Sequence, residues 1–281
     1  MLLDRGGVPL TSALLSLLGG PGLVLGVWTA AVAALGLTLT APRPINPNQG
    51  LVMGLVLAGA TLLVREPVFP PWPPVGAMGR LPYVVVVTAL IAFVAVHLRA
   101  ARLAIPFALL APPVLGVGVV ALPEAAQTLA LVQGGGFVLL TLVLAQRLLA
   151  DRGADGALPL GLVATSAGLV ALAGLYPSVL SVHAAGVLAT TLAIWVGAGL
   201  RGERFGIAPA IVGQVAVAGI GATLAISAPA LAAPIALVLM MPLARWPASL
   251  LVKGARPRAA VQSVLMVGLG VLAVHLARTL P

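Results

Sequence analysis

Apolar runs separated by short clusters of Pro, Gly, Asn and Arg set the pattern of this chain. A helix rises about 1.5 Å per residue and a hydrocarbon core is about 30 Å thick, so about 20 apolar residues suffice to cross a bilayer. Runs that meet or approach this length occupy 23–41, 50–64, 81–98, 103–121, 126–147, 157–175, 178–200, 207–226, 230–244 and 259–277. The pattern predicts an all-α, polytopic transmembrane bundle of about ten spans. The apolar stretch 9–18 is too short to span and ends at Gly19-Gly20-Pro21-Gly22, which reads as an interfacial or re-entrant lead-in. No cleavable signal peptide is expected, because Asp4, Arg5 and Pro9 interrupt the first ten residues. The turn-rich segment 42–49 follows span one. The segment 65–80, with five prolines around Trp72, reads as a stiff loop anchored at the membrane surface.

Two neighbouring runs carry the strongest functional signal. Pro112 and Pro113 interrupt the run 103–121, removing two amide donors and forcing the preceding backbone out of helical geometry. Gln133, Gly134, Gly135 and Gly136 interrupt the run 126–147. Broken helices are tolerated at membrane depth only where protein or a water-filled cavity satisfies the freed backbone groups. These six residues, with Gln214 from span eight, are the expected lining of a substrate pathway.

Composition excludes a water-soluble fold: 61% of the 281 residues are hydrophobic and 7% charged, whereas soluble domains carry about 25% charged residues. The net charge of +9 does not imply a nucleic-acid partner, since the basic residues are scattered through connecting loops without interleaved aromatics. They report topology instead. Alternate loops hold Arg43, Arg99, Arg102, Arg147, Arg152, Arg201, Arg204, Arg245, Lys253, Arg256 and Arg258, and the opposite side holds Arg5, Arg65, Arg80 and Arg278. By the positive-inside rule, the first set is cytoplasmic. With no cysteine, thiolate catalysis and disulfides are excluded.

The charged loop 151–156 divides the chain into five spans within 1–150 and five within 157–281. An odd number per half predicts inverted halves, an arrangement many secondary transporters use, and spans four and nine are both broken by proline. The ten-span, roughly 280-residue plan resembles drug/metabolite-type transporters in outline, and no residue role is carried over from that likeness.

Chemistry inside the membrane is sparse. All six acidic residues, Asp4, Glu66, Glu124, Asp151, Asp155 and Glu203, fall at span ends or in loops, so no carboxylate stands ready for ion coupling. The interior polar set is neutral, which points to a neutral, zwitterionic or amphipathic substrate. His183 and His275 lie at similar depth near the outer ends of spans seven and ten, the arrangement a haem would need. Interfacial histidines bonded to water or backbone are the plainer reading, and neither a cofactor nor a metal is expected. Residues 197–202 fit GxGxxG but end an apolar helix instead of following a strand, so they read as packing glycines. Asp151 and Asp155 sit four apart as a metal-diphosphate pair would, yet lack the repeated acidic motifs of membrane transferases and read as a solvated turn.

Two functions follow. The first is a permease in the bacterial cytoplasmic membrane, with the bilayer and a small molecule as its partners, alone or as a homodimer. The second is an anchoring or structural subunit that leaves the chemistry to partner membrane subunits. A transferase is the weakest alternative. On the pathway reading, Gly135→Leu abolishes function, while Gly135→Ala folds but turns over more slowly. Melting temperature and turnover measured together decide it: an unstable Ala variant with normal turnover per folded molecule rejects the site.

Overall fold

A peptide group in hydrocarbon has no water to bond, so an apolar run satisfies its backbone by coiling on itself. The computed structural model describes residues 21–42, 45–65, 76–98, 157–175 and 180–279. Those residues are all-helical, without a strand. In chain order the helices are α1 (Pro21–Thr40), α2 (Ile45–Arg65), α3 (Gly76–His97), α4 (Ala157–Gly174), α5 (Leu180–Leu200) and α6 (Ile207–Ser227). After these come α7 (Ala232–Leu239), α8 (Arg245–Leu251) and α9 (Ala255–Thr279), with 3-10 turns at Pro229–Leu231 and Met241–Ala244 on either side of α7.

Five helical stretches among the described residues are long and apolar enough to cross a membrane: Gly79–His97, Leu180–Leu200, Ile207–Ala225, Pro229–Leu251 and Pro257–Thr279. Gly26–Thr40, Asn48–Ala60 and Leu158–Gly174 are shorter apolar helices. The runs 103–121 and 126–147 lie outside the described residues.

Boundaries move where proline chemistry allows it. The segment expected as a turn over 42–49 is helical from Ile45, because Pro47 falls in the first helical turn, where an amide donor has no intrahelical partner to lose. Span nine runs on to Leu251 in pieces. Pro242 has no amide to donate back to Val238, and the chain passes through the 3-10 turn Met241–Ala244 before re-forming as α8. The expected loop at Arg245 and Trp246 is therefore helical.

Helices α1, α2 and α3 stand side by side in chain order. Behind them, α5 packs against α1 and α2, while α6 packs against α2 and α3. Helix α4 lies against α5 and α6, and α7 and α9 pack on α4.

The side chains of α3 are sorted by size as well as by polarity. On α3 the inward positions include Val85, Ala89 and Ala92, whereas Val87, Leu90 and Val94 point outward and are about half exposed. Helix α9 is more extreme, with Val264 70%, Val267 66% and Val271 65% exposed. On α3, larger apolar groups outside and smaller ones inside fit a helix solvated by lipid, where close backbone contact replaces the hydrophobic drive. The contacts are tight: a Cβ on Gly50 would stand 2.7 Å from the Ala208 Cβ, and one on Gly54 would collide with the Ala89 Cβ.

A polar clasp closes one end of the bundle. Helix α5 stops in a Schellman turn, in which Glu203 N–H bonds the Ala198 carbonyl, Gly202 N–H bonds the Gly199 carbonyl, and Gly202 takes φ +69°. This geometry aims Arg201 at the C-terminus of α1. Its Nη1 donates to the carbonyls of Thr38, Leu39 and Ala41 at 3.0, 2.8 and 2.7 Å. Those carbonyls have no partner further along α1, and they carry the negative end of the helix dipole. Gln49, fully buried on α2, accepts the Gly206 N–H at 2.8 Å and donates to the Arg204 carbonyl at 3.2 Å. Gly206 is the N-cap of α6 and has no side chain to cap it, so Gln49 caps α6 from a neighbouring helix.

Two stability predictions follow, each read as a melting temperature in detergent. Gln49→Leu strands the buried Gly206 N–H and leaves the part-buried Arg204 carbonyl without its donor, and costs about 1–3 kcal/mol. Gly54→Val forces α2 from α3 and costs a comparable about 1–3 kcal/mol, whereas Gly199→Ala, which meets no atom within 4 Å, leaves the melting temperature unchanged or higher.

Candidate functional site

Small residues at a helix interface leave a void when the surrounding helices cannot close further. Gly26 and Val27 of α1, Leu57 and Ala60 of α2, Leu81 and Val85 of α3, Val182, His183, Gly186 and Val187 of α5, and Ala216 and Ile220 of α6 surround a cavity of ≈ 20 Å³. That volume admits about one water molecule. Five helices meet there, three from the first part of the chain and two from the second. His183 is the one polar side chain among the described lining residues, and it is buried.

Thr190 lies on the same face of α5, seven residues from His183. The hydroxyls of Thr38, Thr165, Thr191 and Thr223 each donate to the carbonyl four residues back, at 2.7, 2.7, 2.7 and 2.8 Å. The Thr190 hydroxyl is fully buried and makes no such bond. An unbonded buried hydroxyl forfeits about 1–3 kcal/mol of solvation. His183, Gly186 and Thr190 thus form a stripe on α5 in which packing and polar satisfaction are both incomplete.

A second, larger space of ≈ 650 Å³ lies between α4 and α9. Leu160, Val163, Ala164, Ala167, Gly168 and Ala171 line it from α4, and Met241 comes from the 3-10 turn. From α9 the lining runs from Ser263 through Met266, Val267, Gly270, Val271 and Val274 to His275 and Arg278. Gly168 and Gly270 both face the Met241 methyl, so the turn after α7 forms part of the floor.

Of the residues expected to line a pathway, Pro112, Pro113, Gln133, Gly134, Gly135 and Gly136 lie outside the described residues. Gln214 is buried on α6. It is not among the described residues that line either of the two spaces. His183 and His275 line different spaces, and their similar depth does not pair them. His97 is exposed at the end of α3 and stacks on Phe93, with ring centroids 5.9 Å apart. Glu203 belongs to the α5–α6 connection, and no group of three or more potential metal ligands occurs among the described residues. In the GxGxxG match, Gly197 packs within 3.1 Å of Thr38, measured from a built Cβ, which is a packing role.

Sequence reasoning missed Gly26 and Gly186, which differ in no local signal from the other glycines among 33. Nothing in sequence separates Thr190 from Thr191. The geometry makes Gly186→Ala tolerable, since a methyl there meets no atom within 4 Å. Thr190→Val, which removes an unbonded hydroxyl at nearly constant shape, leaves the melting temperature unchanged or raises it, while Thr191→Val lowers it. Comparison with protein-family models, with curated proteins and with solved structures yields no match, so the site has to be interpreted from its own geometry.

Proposed function

We propose that this chain is a permease of the bacterial cytoplasmic membrane for a small neutral, zwitterionic or amphipathic molecule. Its pathway runs between α1–α3 on one side and α5–α6 on the other. The observation that carries this reading is the cavity at the meeting of those five helices, bordered by glycine and alanine and bearing the buried His183. Small residues on both sides let helices slide and part at low cost in packing, and one imidazole beside an apolar wall suits an amphipathic solute. At ≈ 20 Å³ the cavity corresponds to a closed state, which opens when the two groups of helices separate.

The ten-span plan with inverted halves belongs to the same proposal. If span n corresponds to span n + 5, then α1, α2 and α3 correspond to α4, α5 and α6. Packing of α2 on α5 and of α3 on α6 agrees with a two-fold relation. The close packing of α1 on α5 is not matched by a comparable packing of α2 on α4, so the relation is approximate. The interrupted stretch Pro229–Leu251 supplies the kind of broken helix on which transporters build their sites.

The alternative of a structural subunit draws on the apolar outer face of α9, which a partner helix could cover as well as lipid. A pull-down in mild detergent separates the two, since a reproducible stoichiometric membrane partner favours the subunit. For the permease, proteoliposomes are assayed for flux across a metabolite panel, with Gly186→Leu as the occluded variant. The expected result is flux of at least one amphipathic solute that falls at least tenfold in Gly186→Leu, while Gly186→Ala stays near the native rate. Flux of no solute, or equal flux in the Leu variant, rejects the pathway.

A further inference from the structure

The groove between α4 and α9 is the larger of the two spaces, and it is polarised along its length. Its wall is aliphatic or glycine from Met266 to Val274 on α9 and from Leu160 to Ala171 on α4, and at one end it terminates in His275 and Arg278. No acidic residue occurs in α4 or α9 to neutralise Arg278. Arg278 makes no ion pair among the described residues, and its side chain is exposed. From Ser263 to Arg278 the helix rises about 22 Å, whereas one leaflet of a bilayer core is about 15 Å deep. The groove is therefore long enough for the acyl chain of a single leaflet, with the cationic end at headgroup level.

We infer that this groove holds one acyl chain of an anionic phospholipid, whose phosphate is bonded by Arg278 and His275. Guanidinium pairs with phosphate through two parallel hydrogen bonds, and imidazole adds a donor one helical turn away. The apolar wall alone would accept any lipid. Arg278, without an ion pair among the described residues, is what selects an acidic headgroup over a zwitterionic one. Gly168 and Gly270 make room for the Met241 methyl between α4 and α9, so a flexible thioether side chain forms the floor on which an acyl chain would lie. This inference stands apart from the transport reading, because it concerns a different space and is read without flux.

The test uses the full-length protein purified in detergent, titrated with phosphatidylglycerol, with phosphatidylcholine of the same chains, and with inorganic phosphate. Melting temperature and the lipids retained in native mass spectrometry are both recorded. Phosphatidylglycerol is expected to raise the melting temperature and to remain bound as one molecule per chain, while phosphatidylcholine and inorganic phosphate do neither. Arg278→Gln should lower the apparent affinity for phosphatidylglycerol about tenfold, and Gly270→Leu should abolish retention by filling the groove. Lys253→Gln, which removes an exposed cation at the end of α9 opposite Arg278, should behave as the native protein. Equal stabilisation by phosphatidylcholine, a phosphate effect without lipid, or unchanged affinity in Arg278→Gln overturns the assignment. So does a homodimer that persists without lipid and is broken by Gly270→Leu, which would make a second copy the occupant.

Discussion

Peptide carbonyls at the end of a membrane helix must find a donor, and a donor supplied by another helix ties the two helices together. Arg201 meets this demand for α1, and Gln49 meets the matching demand for the first amide of α6. Both act across helices that are distant in sequence, so the ends of α1, α2, α5 and α6 are tied together by the same few hydrogen bonds. The Schellman turn at Gly202 is what brings Arg201 to bear, because a residue without a Cβ can take φ +69° without strain. This end of the bundle is the one held by side-chain hydrogen bonds between helices. In the proposed permease, the separation of α1–α3 from α5–α6 takes place at the other end, where the His183 cavity lies.

The rest of the bundle is organised by a different economy. Burial of apolar surface does not distinguish one packing of apolar helices from another in lipid, because a leucine is equally content facing a neighbour or an acyl chain. What distinguishes them is how closely the backbones approach. Gly50 against Ala208 and Gly54 against Ala89 fix the α2–α6 and α2–α3 contacts by leaving no room for error. The α5 face from His183 to Thr190 works the other way, since its small residues leave space instead of filling it. The same residue types lock one interface and loosen another, according to what stands opposite.

Membrane class and helical content were legible in sequence because they depend on run length and composition. The apolar runs of α3, α5, α6 and α9 match the helices within a few residues. Legibility failed where proline has two meanings. Pro47 begins a helix and Pro242 breaks one, and local sequence does not say which, since the outcome depends on whether the missing amide had a partner to lose. The candidate site was less legible still. Gln214 was singled out because an amide in an apolar run attracts notice, and it is buried on α6 away from the described lining of either space. Gly186 and Thr190 draw no notice, because a void is a property of what surrounds a residue. Gln49 reads as part of a turn until Gly206 is seen beside it.

The two incomplete features of α5 bear on one another. A void at an interface forfeits dispersion contacts, and a buried hydroxyl without a partner forfeits a hydrogen bond, and a membrane helix has ready remedies for both. An alanine at 186 would occupy open space, and a rotation of the Thr190 side chain toward the carbonyl four residues back would satisfy its hydroxyl, as the neighbouring Thr191 does. That neither remedy is taken, on one face of one helix and at the interface shared by five, is what sets this face apart from the sealed contacts around Gly50 and Gly54. Stability relinquished in this way is recovered when another conformation or a bound molecule supplies the missing contacts. The polar group is then best placed beside the space, within reach of whatever enters it, and His183 and Thr190 flank Gly186 on that face.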